Sequence, residues 1–282
     1  MSIKIIADSV SDIPKDLRSE LGIEIVPLEV NFSGHSYKDS VELDSGEFFE
    51  KLRKADKLPT TSQVNPGTFI EVFKKHLEHN NEVILVTLSS KLSGTYSAAV
   101  TAKGFLEEDG DRITIIDSES VSLGYGIMVI EAAEMINDGA SKEDVIKKIK
   151  SRIGGIENIF VFDTLTYLHK GGRLSAGEAM IGGLLNIKPI LSIERGELKA
   201  MDKVRGRKKT IQWVINKMKA SGVDFTDKKV AIYHADDYEY MMEFKNKIEL
   251  ELKVNNWIIG EVGAVVGTHS GPGCVAISYV SA

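Results

Sequence analysis

The sequence of 282 residues contains a single cysteine, Cys274, and no long apolar run. One cysteine excludes an intrachain disulfide and a cysteine-based metal cluster. The apolar stretches are far too short to span a bilayer. The N-terminus lacks a basic region followed by an apolar run and a cleavage site, so we expect no signal peptide. These absences predict a cytoplasmic protein without stable membrane insertion.

Excess positive charge and the common nucleotide motifs are also missing. A net charge of −6 argues against general nucleic-acid binding. The chain has no Gly-x-x-x-x-Gly-Lys-Ser/Thr loop and no Gly-x-Gly-x-x-Gly fingerprint after a strand. A Gly-x-Ser-x-Gly elbow is absent as well. The six histidines show no ligand spacing, so we predict neither a metal site nor a cofactor.

The chain alternates short apolar runs with helical patterns, which is typical of an α/β fold. Residues 1–155 predict an N-terminal α/β/α domain on a parallel sheet, with Ile23–Phe32 as its second strand. Gly154 and Gly155 are the candidate hinge. Residues 156–282 predict a C-terminal α/β domain with a mixed sheet, which contains a hairpin and a small-residue helix over Ser175–Asn186. The final strand belongs to this sheet or returns to the first one.

Two hydroxyl-rich loops each lead into a predicted helix. They read Thr60-Thr-Ser-Gln-Val-Asn-Pro66 and Leu88-Ser-Ser-Lys-Leu-Ser-Gly-Thr-Tyr-Ser97. Hydroxyl groups beside the free N–H groups of a helix N-terminus favour anion binding, although helix capping is their commonest use. For the first loop both interpretations stay open. The second loop follows a buried strand of the parallel sheet, where open α/β sheets bind ligands, and this favours a binding role.

Three further segments carry candidate functional groups. His269, within Gly267-Thr-His-Ser-Gly-Pro-Gly273, suits an anion donor, a base or a structural histidine. Arg173 follows two glycines and suits recognition of a carboxylate or phosphate, but the same pattern fits a surface loop. The basic cluster Arg205-Gly-Arg-Lys-Lys209 is either a solvated face or a docking site for an acidic partner.

Apart from the basic cluster, these segments, taken in order, resemble the DegV family. The resemblance also covers Ile6-Ala-Asp-Ser-Val-Ser-Asp-Ile-Pro14, Asp117-Ser118, Leu168-His-Lys-Gly-Gly-Arg-Leu174 and Ile187-Lys-Pro-Ile190, and so spans nearly the whole chain. It implies a two-domain α/β protein that binds a long-chain fatty acid between its domains. It also implies a carrier rather than an enzyme, which presents the fatty acid carboxylate to a separate ATP-using fatty acid kinase and carries away the acyl-phosphate.

By position in the family motifs, Thr61 and Ser93 match the hydroxyls that bind the carboxylate. The neighbouring positions expected to support the head group are Ser62, Gly94, Arg173 and His269. Apart from the resemblance, the charge of the basic cluster suggests that Arg205, Arg207, Lys208 and Lys209 dock the kinase, unless the cluster is only a solvated face. The acyl tail needs an apolar tunnel, and its candidate wall residues are Ile127, Met128, Ile130, Leu165, Met180, Ile181, Leu184, Leu185 and Ile190, with Gly182 and Gly183 leaving space between them. For each of these residues, plain core packing is the alternative.

Two other functions fit the same residues. Serine-rich loops before helices also hold phosphate groups, so a phosphosugar- or nucleotide-binding enzyme is the main alternative. Ser93 and His269 could also act as nucleophile and base in a serine hydrolase. A lipid carrier needs an apolar channel behind its polar loops, whereas a phosphosugar site needs polar walls.

Overall fold

The computed structural model describes residues 2–174 and 186–281. In that part of the chain the strands are, in order, β1 (Ile3–Asp8), β2 (Glu24–Val26), β3 (Glu29–Phe32), β4 (His35–Lys38), β5 (Thr60–Ser62), β6 (Glu82–Thr87), β7 (Ile113–Asp117), β8 (Ile156–Val161), β9 (Ile187–Glu194), β10 (Glu197–Arg205), β11 (Lys229–Ala235), β12 (Asn256–Glu261) and β13 (Cys274–Val280).

The α-helices of the same part are, in order, α1 (Lys15–Glu20), α2 (Ser45–Lys54), α3 (Pro66–Glu78), α4 (Thr95–Gly104), α5 (Leu123–Asn137), α6 (Lys142–Arg152), α7 (Thr166–Lys170), α8 (Arg207–Ala220), α9 (Tyr238–Leu252) and α10 (Ala264–Ser270). Within these described ranges, no helix combines the length and the apolar character that crossing a membrane requires.

The first half of the chain builds a parallel sheet in the order β2-β1-β6-β7. The contiguous apolar run Val83–Val86 in β6 is fully buried, as expected for a parallel strand covered on both faces. The second half builds a six-stranded mixed sheet in the order β10-β9-β8-β13-β11-β12. These two sheets and their helices confirm the predicted α/β class. The boundary between 1–155 and 156–282 stays a prediction.

The hairpin predicted in the second sheet is confirmed. Strands β9 and β10 pair in antiparallel register, with Glu197 opposite Glu194. The intervening Arg195 and Gly196 both have positive φ, of 50° and 82°, which is the backbone of a tight two-residue turn. The final strand, β13, lies between β8 and β11 and therefore belongs to the second sheet.

Two local predictions were wrong. Ile23–Phe32 is not one strand, because the chain leaves the parallel sheet after Val26 and continues as β3 in a separate three-stranded sheet, β4-β3-β5. Pro27 lies between the two strands and cannot donate a ladder hydrogen bond. The segment Thr60–Ser62, predicted as a loop, is the edge strand β5 of this small sheet.

The helix α5 joins the two halves of the structure. It contacts β1 of the parallel sheet and β8, β11 and β13 of the mixed sheet. Its side chains from Leu123 to Ile130 are buried, as is typical of a helix whose sequence is apolar on every face. The helix predicted over Ser175–Asn186, with Gly182 and Gly183, lies outside the described residues except for Asn186.

Candidate functional site

The two hydroxyl-bearing segments face one cavity of about 400 Å³ between the sheets. Strand β5 and the loop before α4 form part of its wall, and the last turn of α10 forms another part. All six sequence-predicted site residues line this cavity, namely Thr61, Ser62, Ser93, Gly94, Arg173 and His269. The fold therefore brings together residues from four separate segments of the chain. Their individual roles stay predictions.

The position of Thr61 is set by the small antiparallel sheet. Thr61 pairs with Val30 of β3, and its Oγ1 lies 3.0 Å from Nε2 of His269. The adjacent Ser62 is more exposed, and its hydroxyl accepts a hydrogen bond from the Asn31 amide at 3.1 Å. The two neighbouring hydroxyl groups therefore have different partners, although both residues line the cavity.

The Ser93 loop is tied to the carboxyl ends of the parallel strands. The Leu88 N–H donates to Asp8 Oδ2 at 2.8 Å, and the Ser90 N–H donates to Asp117 Oδ1 at 3.1 Å. Ser93 Oγ lies 3.0 Å from Thr95 Oγ1 and accepts from the Thr95 N–H at 3.3 Å. The Ser93 hydroxyl thus contacts the first turn of α4 and also faces the cavity. This position is compatible both with helix capping and with ligand binding.

Gly94 brings the two loops into direct contact. A Cβ atom built at this position would lie 2.0 Å from Oε1 of Gln63. A side chain here would force Gln63 to move, so glycine permits the close approach of the β5 segment to the start of α4. The spacing between the Thr61 and Ser93 segments therefore depends on a residue without a side chain.

His269 is a neutral imidazole in this site. It lies in the helix α10. Burial, helped by the positive charge of Arg173, lowers its pKa to about 4. Its Nδ1 atom is buried without a hydrogen-bond partner, while Nε2 pairs with Thr61. A neutral histidine can exchange a hydrogen bond with the Thr61 hydroxyl and so fix the direction in which that hydroxyl points.

Arg173 is not on a solvated surface loop. Its Nε donates to the Leu92 carbonyl at 3.2 Å, and its Nη1 donates to the Gly171 carbonyl at 2.6 Å. Burial lowers its pKa, but a guanidinium keeps its proton in proteins. The Arg173 guanidinium, held by these two hydrogen bonds, places positive charge at the polar end of the cavity and so favours an anion there.

The remaining cavity wall is largely apolar. Its apolar members among the described residues come from both halves of the chain: Val10, Leu28, Leu88, Leu92, Val121, Phe160, Phe162, Leu168, Leu198, Val262, Val265, Val266 and Ala276. None of the described residues in this wall is Asp or Glu. A polar, cation-bearing end on an apolar cavity matches an amphipathic acid better than a sugar phosphate, which would need polar partners throughout.

The candidate tail-wall residues are core residues where the structure describes them, as the alternative interpretation predicted. Ile127, Met128, Ile130, Leu165 and Ile190 are fully or almost fully buried in the hydrophobic core and do not line the cavity. The helix α5 that carries three of them is enclosed by both sheets, so its apolar side chains pack against strands. The other candidates, Met180, Ile181, Leu184 and Leu185, lie outside the described residues.

The geometry does not support a serine hydrolase. Ser93 Oγ is hydrogen-bonded to Thr95, and His269 Nε2 is hydrogen-bonded to Thr61. In the described part of the chain, no carboxylate pairs with His269 Nδ1 to orient the ring. With a pKa of about 4, His269 is also a weak base at neutral pH.

The lowered pKa of His269 predicts a specific pH dependence of stability. Between pH 6.5 and 4 the unfolded chain binds a proton at this residue and the folded chain does not, so stability falls as the pH falls. A lowering of this size amounts to about 3 kcal/mol. Buried Asp8, whose pKa burial raises to about 6, acts in the opposite direction, so a matched variant is required.

Urea unfolding of the wild type and of His269→Gln at pH 7 and pH 4 isolates this contribution. Glutamine retains hydrogen-bonding capacity toward Thr61 but does not titrate. The wild type is expected to lose about 3 kcal/mol more than the variant between the two pH values. Equal losses would show that His269 titrates normally in the folded protein.

The fold and site define a class of α/β protein in which two sheets enclose an apolar cavity with a hydroxyl-lined polar end. The DegV family model, described as "Uncharacterised protein, DegV family", matches residues 2–282. A DegV domain-containing protein of Caldanaerobacter subterraneus is 45% identical over 277 residues, which cover 98% of each chain. The chain belongs to the DegV family.

Solved structures of relatives share the whole fold. A DegV family protein from Thermus thermophilus, described as binding fatty acid, superposes with a TM-score of 0.92 at 33% identity and covers 100% of both chains. DegV from Bacillus subtilis, described as a fatty acid binding protein, gives a TM-score of 0.88 at 32% identity over 99% of both chains. The similarity to fatty-acid-binding DegV proteins therefore extends over the complete chain.

Proposed function

We propose that this protein binds a long-chain fatty acid in the cavity between its sheets and presents the carboxylate to a separate fatty acid kinase in the cytoplasm. In this proposal the acid's carboxylate accepts hydrogen bonds from Thr61 and Ser93, and its tail occupies the apolar part of the cavity. The protein itself catalyses no reaction and serves as a carrier of the acid and of its acyl-phosphate.

Fatty-acid binding is supported by the division of one cavity into a polar end and an apolar body. A carboxylate loses its water on entry, at a cost that only several donors can offset. Hydroxyl groups supply such donors, and hydrogen bonds to a charged group are the strong ones. The apolar wall favours the tail by about 0.8 kcal/mol for each buried CH₂ group. A ligand with both parts uses the entire cavity.

Native mass spectrometry of the purified protein tests the proposal. The expected result is a mass increment equal to a long-chain fatty acid, or uptake of oleate after delipidation. A thermal-shift comparison of oleate with a set of phosphosugars separates the main alternative, because only the acid should raise the unfolding temperature. Protein that remains ligand-free in the presence of oleate contradicts the proposal.

The basic cluster supports the proposed contact with a kinase. Arg205, Arg207, Lys208 and Lys209 are exposed at the junction of β10 and α8. Strand β10 ends beside the start of β9, and β13 starts at the same end of the sheet, just after α10 and His269. Three strand spacings separate β10 from β13, or about 14 Å. A partner docked on this cluster would sit near the polar end of the cavity.

Charge reversal of the cluster is expected to impair kinase-coupled phosphorylation without weakening fatty-acid binding. The variant combines Arg205→Glu, Lys208→Glu and Lys209→Glu, and it retains Arg207 because that guanidinium pairs with Asp237 and stacks on Tyr240. Steering between opposite charges controls association rates, so the initial rate should fall about tenfold or more at low salt.

The matched control is a reversal of two exposed lysines on α6, Lys147→Glu and Lys150→Glu. Fatty acid bound to this control should be phosphorylated by the kinase at the wild-type rate. If fatty acid bound to the cluster variant is also phosphorylated at the wild-type rate, the cluster is only a solvated face.

A further inference from the structure

Ser122 has an unusual backbone for its position in the cavity wall. It precedes α5 with φ 55° and ψ −150°, a region that glycine enters readily and other residues avoid. It is only 1% exposed, and it lines the same cavity as Thr61 and Ser93. A serine held in such a conformation requires surroundings that fix it, and a strained residue in a ligand cavity points to a binding role.

Ser122 lies at the opposite end of α10 from His269. Its hydroxyl is hydrogen-bonded to Oδ2 of Asp12, and Asp12 Oδ1 accepts from the Gly263 N–H at 2.8 Å, immediately before α10. His269 lies six positions after Gly263, which corresponds to roughly 9 Å along a helix axis. The Ser122 hydroxyl is therefore well removed from the polar end where the carboxylate is proposed to bind.

A second hydroxyl, that of Tyr233, accompanies Ser122. Tyr233 is 1% exposed and lines the cavity, and its hydroxyl interacts with the Ser122 side chain. The Tyr233 hydroxyl also lies 3.0 Å from Ser278 Oγ, which donates its own proton to Asn158 Oδ1 at 2.7 Å. The Tyr233 hydroxyl therefore donates its proton to Ser278 Oγ, and the lone pairs of the Tyr233 oxygen can accept from a donor in the cavity.

The two hydroxyls stand in an otherwise apolar part of the wall. Val10, Val121, Phe160 and Val262 line the cavity with them. Each hydroxyl already has a protein partner, Asp12 for Ser122 and Ser278 for Tyr233. A plain alkyl chain would therefore leave only the remaining lone pairs of the two oxygens without a donor. A chain carrying a hydroxyl at this depth could donate its proton to a lone pair of the Tyr233 or Ser122 oxygen.

We propose that Ser122 and Tyr233 form a second polar subsite within the acyl cavity and that this subsite receives a hydroxyl group in the middle of the chain, so that hydroxy fatty acids are ligands. The inference rests on the proposed fatty-acid binding. Ser122 and Tyr233 would then determine which acyl chain binds, whereas Thr61 and Ser93 would bind the carboxylate. A hydroxyl placed next to the carboxylate would not reach the subsite.

Affinities for 10-hydroxystearate, 2-hydroxystearate and stearate, measured by isothermal titration, test the proposal. Ser122→Gly removes the hydroxyl and tolerates the positive φ, and Tyr233→Phe removes the second hydroxyl while keeping the ring. In each variant, the preference for 10-hydroxystearate over stearate should fall about tenfold relative to the wild type. The ratio of 2-hydroxystearate to stearate should stay constant.

Ser270→Ala is the matched control, because Ser270 is another buried serine of the same cavity wall. Its ratio of affinities for 10-hydroxystearate and stearate should equal that of the wild type. An unchanged ratio in both Ser122→Gly and Tyr233→Phe overturns the subsite while leaving the proposed function in place. If the wild-type protein binds neither stearate nor 10-hydroxystearate, the proposed function and the subsite both fail.

Discussion

The double variant Thr61→Ala/Ser93→Ala is expected to bind long-chain fatty acids about a thousandfold more weakly than the wild type. Each hydrogen bond to a charged group contributes about 1.5–3 kcal/mol, so loss of two such bonds corresponds to about 3–6 kcal/mol. The single variants should each lose about tenfold or more. Isothermal titration with stearate or oleate measures these changes directly.

The fold should survive these substitutions. Thr61 and Ser93 are only half-buried, and neither belongs to the hydrophobic core. Their matched controls are Thr60→Ala and Ser97→Ala, since both side chains are exposed neighbours that do not line the cavity. These controls should bind with wild-type affinity. A folded double variant with undiminished affinity would remove Thr61 and Ser93 from the carboxylate site.

Ala276→Phe is expected to exclude long acyl chains while leaving the carboxylate site open. Ala276 is 1% exposed and lines the cavity. It lies on β13 opposite Phe160 of β8 and Tyr233 of β11, both of which also line the cavity. A phenyl ring added between them would fill space proposed for the tail. Displacement of four buried CH₂ groups corresponds to about 3 kcal/mol, or roughly a hundredfold in affinity for stearate.

The chain-length profile distinguishes a blocked tunnel from a damaged protein. Octanoate should bind to Ala276→Phe about as well as to the wild type, because its shorter tail needs less of the cavity. Ala276→Gly, which leaves the cavity open, should retain the wild-type preference for long chains. A stably folded Ala276→Phe protein with an unchanged profile would show that the tail lies elsewhere.

Much of the framework could be predicted from local sequence signals. The run Val83–Val86 is typical of a strand covered on both faces, and the uniformly apolar sequence of α5 is typical of a buried helix. Both signals are strong because burial on all sides removes the polar positions that would otherwise interrupt the pattern. The hydroxyl loops are also a local signal, because three adjacent hydroxyl residues are more than a helix cap requires.

The cavity wall could not be predicted, because its residues are adjacent only in the folded protein. Val10 and Leu28 come from the first sheet region, whereas Val262 and Val265 flank and begin α10. In the sequence they look the same as core valines and leucines. Ile127, Met128 and Ile130 have the same composition as the true wall and were assigned to it wrongly, because nothing local distinguishes a side chain facing a cavity from one facing a strand.

The three-stranded sheet was also hidden from local signals. Strands β4 and β5 are short and polar, so they lack the alternation of apolar and polar residues that identifies a half-buried strand. Their pairing with β3 depends on partners far along the chain. This small sheet nevertheless sets the position of Thr61 relative to His269, and with it the geometry of the polar end.

A crystal structure of the protein with stearate would show directly where the acid binds. We expect the stearate carboxylate within hydrogen-bonding distance of Thr61 Oγ1 and Ser93 Oγ, with the alkyl chain running past Val265 and Phe160 into the cavity. Density for the acid in any other place, or a carboxylate that contacts neither hydroxyl, would contradict it.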